Sequence, residues 1–131
     1  MIILDTHTLV WLTSNPDKLS LKAAKIISQE VKRREICVSS ISIWEIASLV
    51  RKNKLEFSIG FENWLREVED TPTVRFIPVD NKIASDSIFL PGKIHKDPAD
   101  RIIIATARNI NAKVVTKDSK IRKYKYVRSV W

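Results

Sequence analysis

Short apolar runs alternate along the chain with stretches in which apolar residues recur every three or four positions. Ile2–Leu4 is a continuous apolar run closed by Asp5, and it reads as a buried strand. From Ser20 to Arg34, apolar Leu21, Ala24, Ile27 and Val31 follow the helical spacing. Glu35–Ser39 (EICVS) reads as a second strand and Ser42–Lys52 as a helix. Phe61–Glu69 is a further helix, followed by a strand over Val74–Val79. Lys82–Leu90 is helical and stops at Pro91-Gly92. Pro98–Asn109 is the last long helix, Lys113–Thr116 a strand, and Tyr124–Val130 an edge strand. Strands separated by helices need crossover connections, which predicts an α/β fold: a mainly parallel sheet covered on both faces. In such open sheets, sites form beyond the carboxyl ends of the strands.

Composition narrows the picture. The 131 residues, 44% hydrophobic, suit a single domain spanning 1–131 with one ordinary core. No stretch approaches the roughly 18 apolar residues of a membrane span. Asp5 and His7 interrupt the apolar start, which excludes a signal peptide. The lone Cys37 lies in an apolar run and reads as a buried thiol, so neither a disulfide nor a cysteine-based zinc site can form. These features imply a cytoplasmic protein. With only Gly60 and Gly92, no glycine-rich phosphate loop is available.

Lys and Arg number 23 against 15 acids, a net charge of +8 that mildly suggests a polyanionic partner. Seven of those bases fall between Lys113 and Arg128, against Asp118 alone. Such a run is either a solvated face or a nucleic-acid surface. Tyr124 and Tyr126 within it serve base stacking or strand packing equally well.

The carboxylates carry the chemistry. Asp5 ends the first strand, Asp118 follows Lys113–Thr116, and Glu45 and Asp100 lie near the starts of helices that face the same sheet edge. Each has an ordinary use. Asp97, Pro98 and Asp100 make a good helix start, with Asp97 as N-cap. Ser42 and Glu45 fit a capping box. Asp118 suits a turn, and Asp5 is the hardest to explain that way. Four carboxylates converging on one edge would raise one another's pKa, and a divalent cation removes the conflict. Oxygen ligands select Mg²⁺ or Mn²⁺. Such ions activate water for in-line attack on a phosphodiester. Setting those four acids aside leaves 11 acids against 23 bases, a remaining surface of about +12 that would draw a phosphate backbone to the cleft.

The segments LDTHTLVW, SSISIWEIASLVRKNKL, LPGKIHKDPADRIIIATA and VVTKD occur in that order through nearly the whole chain. Together they resemble a PIN-domain (PilT N-terminus) protein of the VapC toxin type. The resemblance implies a three-layer α/β/α sandwich with a central parallel sheet. It implies a Mg²⁺- or Mn²⁺-dependent endoribonuclease that cuts RNA, pairs with a small antitoxin and forms homodimers. It maps the family's acidic quartet, both metal ligands and catalytic, onto Asp5, Glu45, Asp100 and Asp118. Asp97 belongs to a variant motif and is kept as the helix cap and a supporting group.

Around the quartet, Thr6 and Thr116 are candidates to orient a carboxylate or a water, or else pack as strand-end threonines. Arg101, Lys117 and Lys120 are candidate RNA contacts, although a surface salt bridge serves Arg101 equally. His7 and His95 read as structural. Trp11, Trp44 and Trp64 read as core or interface residues. Two other functions compete. A PIN-like RNA-binding or RNA-processing protein with little catalysis would not need the intact quartet. A phosphate-accepting signalling domain would need paired acids after the first strand, where only Asp5 stands, and would rely on Asp80.

Overall fold

The computed structural model describes residues 1–131. Five strands form one sheet: β1 (Ile2–Leu4), β2 (Ile36–Ser39), β3 (Val74–Ile77), β4 (Lys113–Val115) and β5 (Ser129–Val130). Their order is β3-β2-β1-β4-β5, and every pairing is parallel. Leu4 stands opposite both Val38 and Val115. The residues that leave the three central strands, Asp5, Ser39 and Thr116, are therefore level with one another.

Seven helices connect the strands: α1 (Thr6–Ser14), α2 (Leu21–Arg33), α3 (Ser40–Arg51), α4 (Phe61–Glu69), α5 (Asn81–Ile88), α6 (Pro98–Asn109) and α7 (Ser119–Lys123). None is long and apolar enough to cross a membrane. Strand alternation divides the core in two. Ile2, Leu4, Ile36 and Val38 join Leu9, Ile27, Ile46 and Trp64 on one face. Ile3, Cys37 and Val114 join Ile83, Ile103 and Ile104 on the other. The result is the expected α/β/α sandwich. Each fully buried Ile or Leu contributes on the order of 2 kcal/mol through the apolar surface it withdraws from water.

Local chemistry sets where the helices start. Ser20 accepts from the Ala23 amide at 3.0 Å to begin α2, and Asp80 accepts from Ile83 N at 2.8 Å to begin α5. Asp97 accepts from Asp100 N at 3.0 Å and Pro98 opens α6, as its sequence predicts.

Several expectations are corrected. The capping box over Ser42–Glu45 does not form, because Ser39 caps α3 by accepting from Ile41 N at 3.2 Å. Helix α3 thus begins two residues before Ser42, and the Glu45 carboxylate is left for other work. The segment Tyr124–Val130 is not one strand: only Ser129–Val130 pairs, and Tyr124 is buried, donating its hydroxyl to the Pro91 carbonyl. Of the tryptophans read as core or interface, Trp64 is in the core and donates Nε1–H to Thr13 Oγ1 at 2.9 Å, while Trp44 stands 67% exposed, outside the core.

Candidate active site

At the carboxyl edge of the sheet lies a cavity of about 470 Å³, lined by Asp5, Thr6, His7, Trp11, Glu45, Asp97, Asp100, Lys117 and Asp118. The four carboxylates come from four separated segments. Asp5 leaves β1 and caps α1, Glu45 sits one turn into α3, Asp100 is in the first turn of α6, and Asp118 caps α7. Crossing from a parallel strand to its covering helix brings these positions to one end of the molecule.

Hydrogen bonds fix the carboxylates in place. Asp5 Oδ1 accepts from Thr6 N at 2.7 Å, and Asp5 Oδ2 accepts from the Thr116 hydroxyl at 2.6 Å. Thr116 Oγ1 in turn accepts from Asp118 N at 3.0 Å, so one hydroxyl ties two of the acids together. Thr6 donates its hydroxyl proton to Glu45 Oε1. Because a hydroxyl has a single proton, the 2.9 Å contact between Thr6 Oγ1 and Ser42 Oγ is then one in which Ser42 donates. Ser42, which the sequence offered only as a helix cap, is buried and supports Glu45 through Thr6.

His95 was read as structural, but its Nε2 lies 2.6 Å from Asp100 Oδ2. One ligand-capable atom each of His95, Asp100 and Asp118 falls within 4.8 Å of the others. His7 and Trp11 line the cavity as well. The available signal for His95 was a histidine five residues before an aspartate, across a capped helix start.

Burial, more than mutual repulsion, governs the charges. It raises the Asp5 pKa against the hydrogen bonds of Thr116 and Thr6, with Asp118 adding a smaller repulsion. Glu45 is raised first by burial and then by Asp100, Asp5 and Asp97, while the Thr6 hydrogen bond opposes. Asp100 is pushed up to about 6 by burial, with Asp5 and Asp97 adding to the shift and His95 opposing it. The sequence argument had assigned these shifts to like charges, which rank behind the loss of water. The donor set, carboxylate oxygens with one imidazole nearby, fits an oxygen-seeking divalent cation.

The candidate RNA contacts divide. Lys117 lines the cavity, with its Nζ 5.9 Å from the centre of the Trp11 ring. Lys120 is exposed and lies outside the cavity lining. Arg101 neither pairs with a carboxylate nor lines the cavity. Its guanidinium donates to the carbonyls of Ser87 at 2.8 Å and Ile88 at 3.0 Å, with longer contacts to Ile94 and His95. It therefore caps the carboxyl end of α5 and ties down the loop before α6. Arg101→Gln is expected to lower stability by about 2 kcal/mol in urea unfolding, because several carbonyls lose a charged donor. Unchanged stability with weaker RNA binding would restore the phosphate-contact reading.

The PIN domain family model matches residues 2–126. This chain belongs to the PIN-domain family. It is 31% identical over 129 residues to Ribonuclease VapC22 of Mycobacterium tuberculosis, covering 98% of this chain and 95% of that protein. The same fold appears in the DNA-bound VapBC of Salmonella typhimurium, at a TM-score of 0.71 and 19% identity, over 99% of this PIN domain and 98% of that chain. It also appears in FitAcB of Neisseria gonorrhoeae, at a TM-score of 0.67 and 20% identity, over 98% and 96% of the two chains.

Proposed function

We propose that this PIN domain is a divalent-cation-dependent endoribonuclease, the toxin of a toxin–antitoxin pair, working in the cytoplasm as a single nuclease domain. One observation carries the reading: four carboxylates from distant segments share one cavity on an otherwise basic protein. The likeness to a ribonuclease of the VapC type supports the activity. The VapBC and toxin–antitoxin complexes among its structural relatives support a small antitoxin as partner.

Asp5, Glu45, Asp100 and Asp118 would hold Mg²⁺ or Mn²⁺. When bound, such an ion supplies an acidified water and neutralises charge on the phosphate. The chain does the rest. Thr116 and Thr6 fix the orientation of Asp5 and Glu45, and Asp97 shapes the turn that presents Asp100. Lys117 offers the phosphate a cation at the cavity rim. Water attacks phosphorus, the bond to the 3′ oxygen breaks, and the downstream fragment keeps a 5′ phosphate.

End chemistry tests the reading. RNA cleaved by the purified protein with Mn²⁺ should yield downstream fragments that an RNA ligase joins without prior phosphorylation. Fragments ending in 2′,3′-cyclic phosphate would mean that the 2′ hydroxyl, not water, is the nucleophile, and the proposed mechanism would fall.

A further inference from the structure

Each of the four carboxylates meets a hydrogen-bond donor that fixes how it turns. Asp5 is held at both oxygens, by Thr6 N and the Thr116 hydroxyl. Glu45 is held at Oε1 by the Thr6 hydroxyl, and Asp118 at Oδ1 by Lys120 N at 2.7 Å. For Asp100 the partner is a ring: Oδ2 lies 2.6 Å from His95 Nε2. Asp97 accepts from the Asp100 amide, so it shapes the backbone and leaves the carboxyl untouched. His95 is thus the one group that orients the Asp100 carboxyl, and it occupies a single oxygen of it.

The ring is built to donate. Its Nδ1 is buried and meets no hydrogen-bond partner. A hydrogen on Nδ1 would therefore be a buried donor with no acceptor. With the hydrogen on Nε2 instead, it goes to the carboxylate, and Nδ1 is left only a bare lone pair, the less costly of the two unpaired states. Both side chains are well covered, His95 at 17% exposure and Asp100 at 16%. The backbone that carries the ring is anchored as well. Arg101, the residue after Asp100, places Nη1 3.4 Å from the carbonyls of both Ile94 and His95, while its other nitrogens hold the end of α5. The segment from His95 to Arg101 is closed on itself twice, once by the ring and once by the guanidinium.

We infer that His95 is the positioning residue for Asp100: by taking Oδ2 it turns Oδ1 to the cation, and Arg101 acts through it by holding its carbonyl. The inference rests on the divalent-cation reading of the cavity and adds the device that presets one of its ligands. A carboxylate fixed by an outer donor binds a metal more tightly than one free to rotate, because less freedom is lost on binding. His95 does not itself touch the ion.

The test reads the metal. Mn²⁺ affinity of the full chain at pH 7.5 is measured from the free-ion signal in electron paramagnetic resonance. His95→Leu should weaken binding at least about tenfold. His95→Gln, which can still donate from nearly the same place, should recover most of the loss. Arg101→Gln should weaken binding by a smaller factor, and the same change made in His95→Leu should weaken it no further. Melting in chelator checks that each variant is folded at the temperature of the measurement. Equal affinity in His95→Leu and the parent would overturn the proposal, as would equal losses in His95→Leu and His95→Gln. Pulsed spectra showing a directly bound nitrogen that disappears in His95→Leu would make His95 a ligand, and the positioning role would fall. A parent that binds no Mn²⁺ would bring down the cation reading and this inference together, whereas tight binding insensitive to His95 would bring down the inference alone.

Discussion

Asp5→Asn should reduce RNA cleavage about a thousandfold, the several kcal/mol of transition-state stabilisation that a bound cation supplies, while the fold stays intact. Asparagine keeps the shape and removes the charge. It can still accept from the Thr6 amide, but where Asp5 Oδ2 accepted the Thr116 hydroxyl proton an NH₂ now stands, so that proton loses its acceptor. That conflict costs about 1 kcal/mol. It is offset because a buried carboxylate, 6% exposed and with its pKa raised, no longer has to be ionised away from water. Single-turnover cleavage and thermal melting of the same sample separate the two effects. A variant cutting within tenfold of the parent would remove Asp5 from the chemistry.

Mn²⁺ should stabilise the protein strongly at pH 7.5 and weakly at pH 5. The Asp100 carboxyl is held at about 6, above the 3.8 of an unperturbed aspartate. Its folded form therefore binds the proton more tightly than its unfolded form. The associated stability is fully present below pH 3.8 and is lost as pH rises through about 6. The unscreened cost at neutral pH is about 3 kcal/mol, reduced to about half by water reaching this partly exposed group. Mn²⁺ at a hundred times its dissociation constant would return about 2.7 kcal/mol, but only where protons do not compete for the same oxygens. Asp100→Asn should flatten this part of the pH dependence. Comparing variant with parent isolates it from Glu30, whose burial is outweighed by the Met1 amino group and Arg33 so that its pKa is lowered. Equal stabilisation by Mn²⁺ at both pH values would mean that the cation binds somewhere other than these carboxylates.

The layers of the fold were legible where periodicity is clean. Ile2–Leu4 and the Leu21–Val31 repeat announce a strand and a helix without help. Helix α1 was not, because Leu9, Val10, Trp11 and Leu12 are consecutive: the helix packs on the core with one side and lines the cavity with another, so no single stripe shows. Helix α7 is five residues long, too short for a period. Tyr124 and Tyr126 gave Tyr124–Val130 the composition of a strand, yet Tyr124 is held by the Pro91 carbonyl, a contact that only tertiary structure supplies.

The quartet could be marked in advance because strand ends and helix starts share an edge in a parallel sheet, and the family likeness pointed to the same positions. Thr6, Thr116 and Asp97 were marked beside it as supports, but Ser42 and His95 were not read in that role. Ser42 reaches Glu45 through Thr6, a residue 36 positions away, and no spacing encodes that. His95 meets Asp100 only because the chain turns through the Asp97 cap. Arg101 was misjudged for the same reason: beside Asp100 in sequence, it points back to carbonyls of α5.

Strand β4 lies between β1 and β5, and it delivers both the Thr116 hydroxyl and Asp118 from beyond residue 113. An emerging polypeptide holds Asp5 almost from its first moments, yet Asp5 must wait 111 residues for its partner hydroxyl. Premature termination, or a proteolytic cut before that point, leaves a remnant that has Asp5 but neither Thr116 nor Asp118, so the four-carboxylate cavity cannot be assembled. A chain that stops short of Thr116 therefore lacks β4's contribution to the four-carboxylate cavity, however much of its amino-terminal half has already folded.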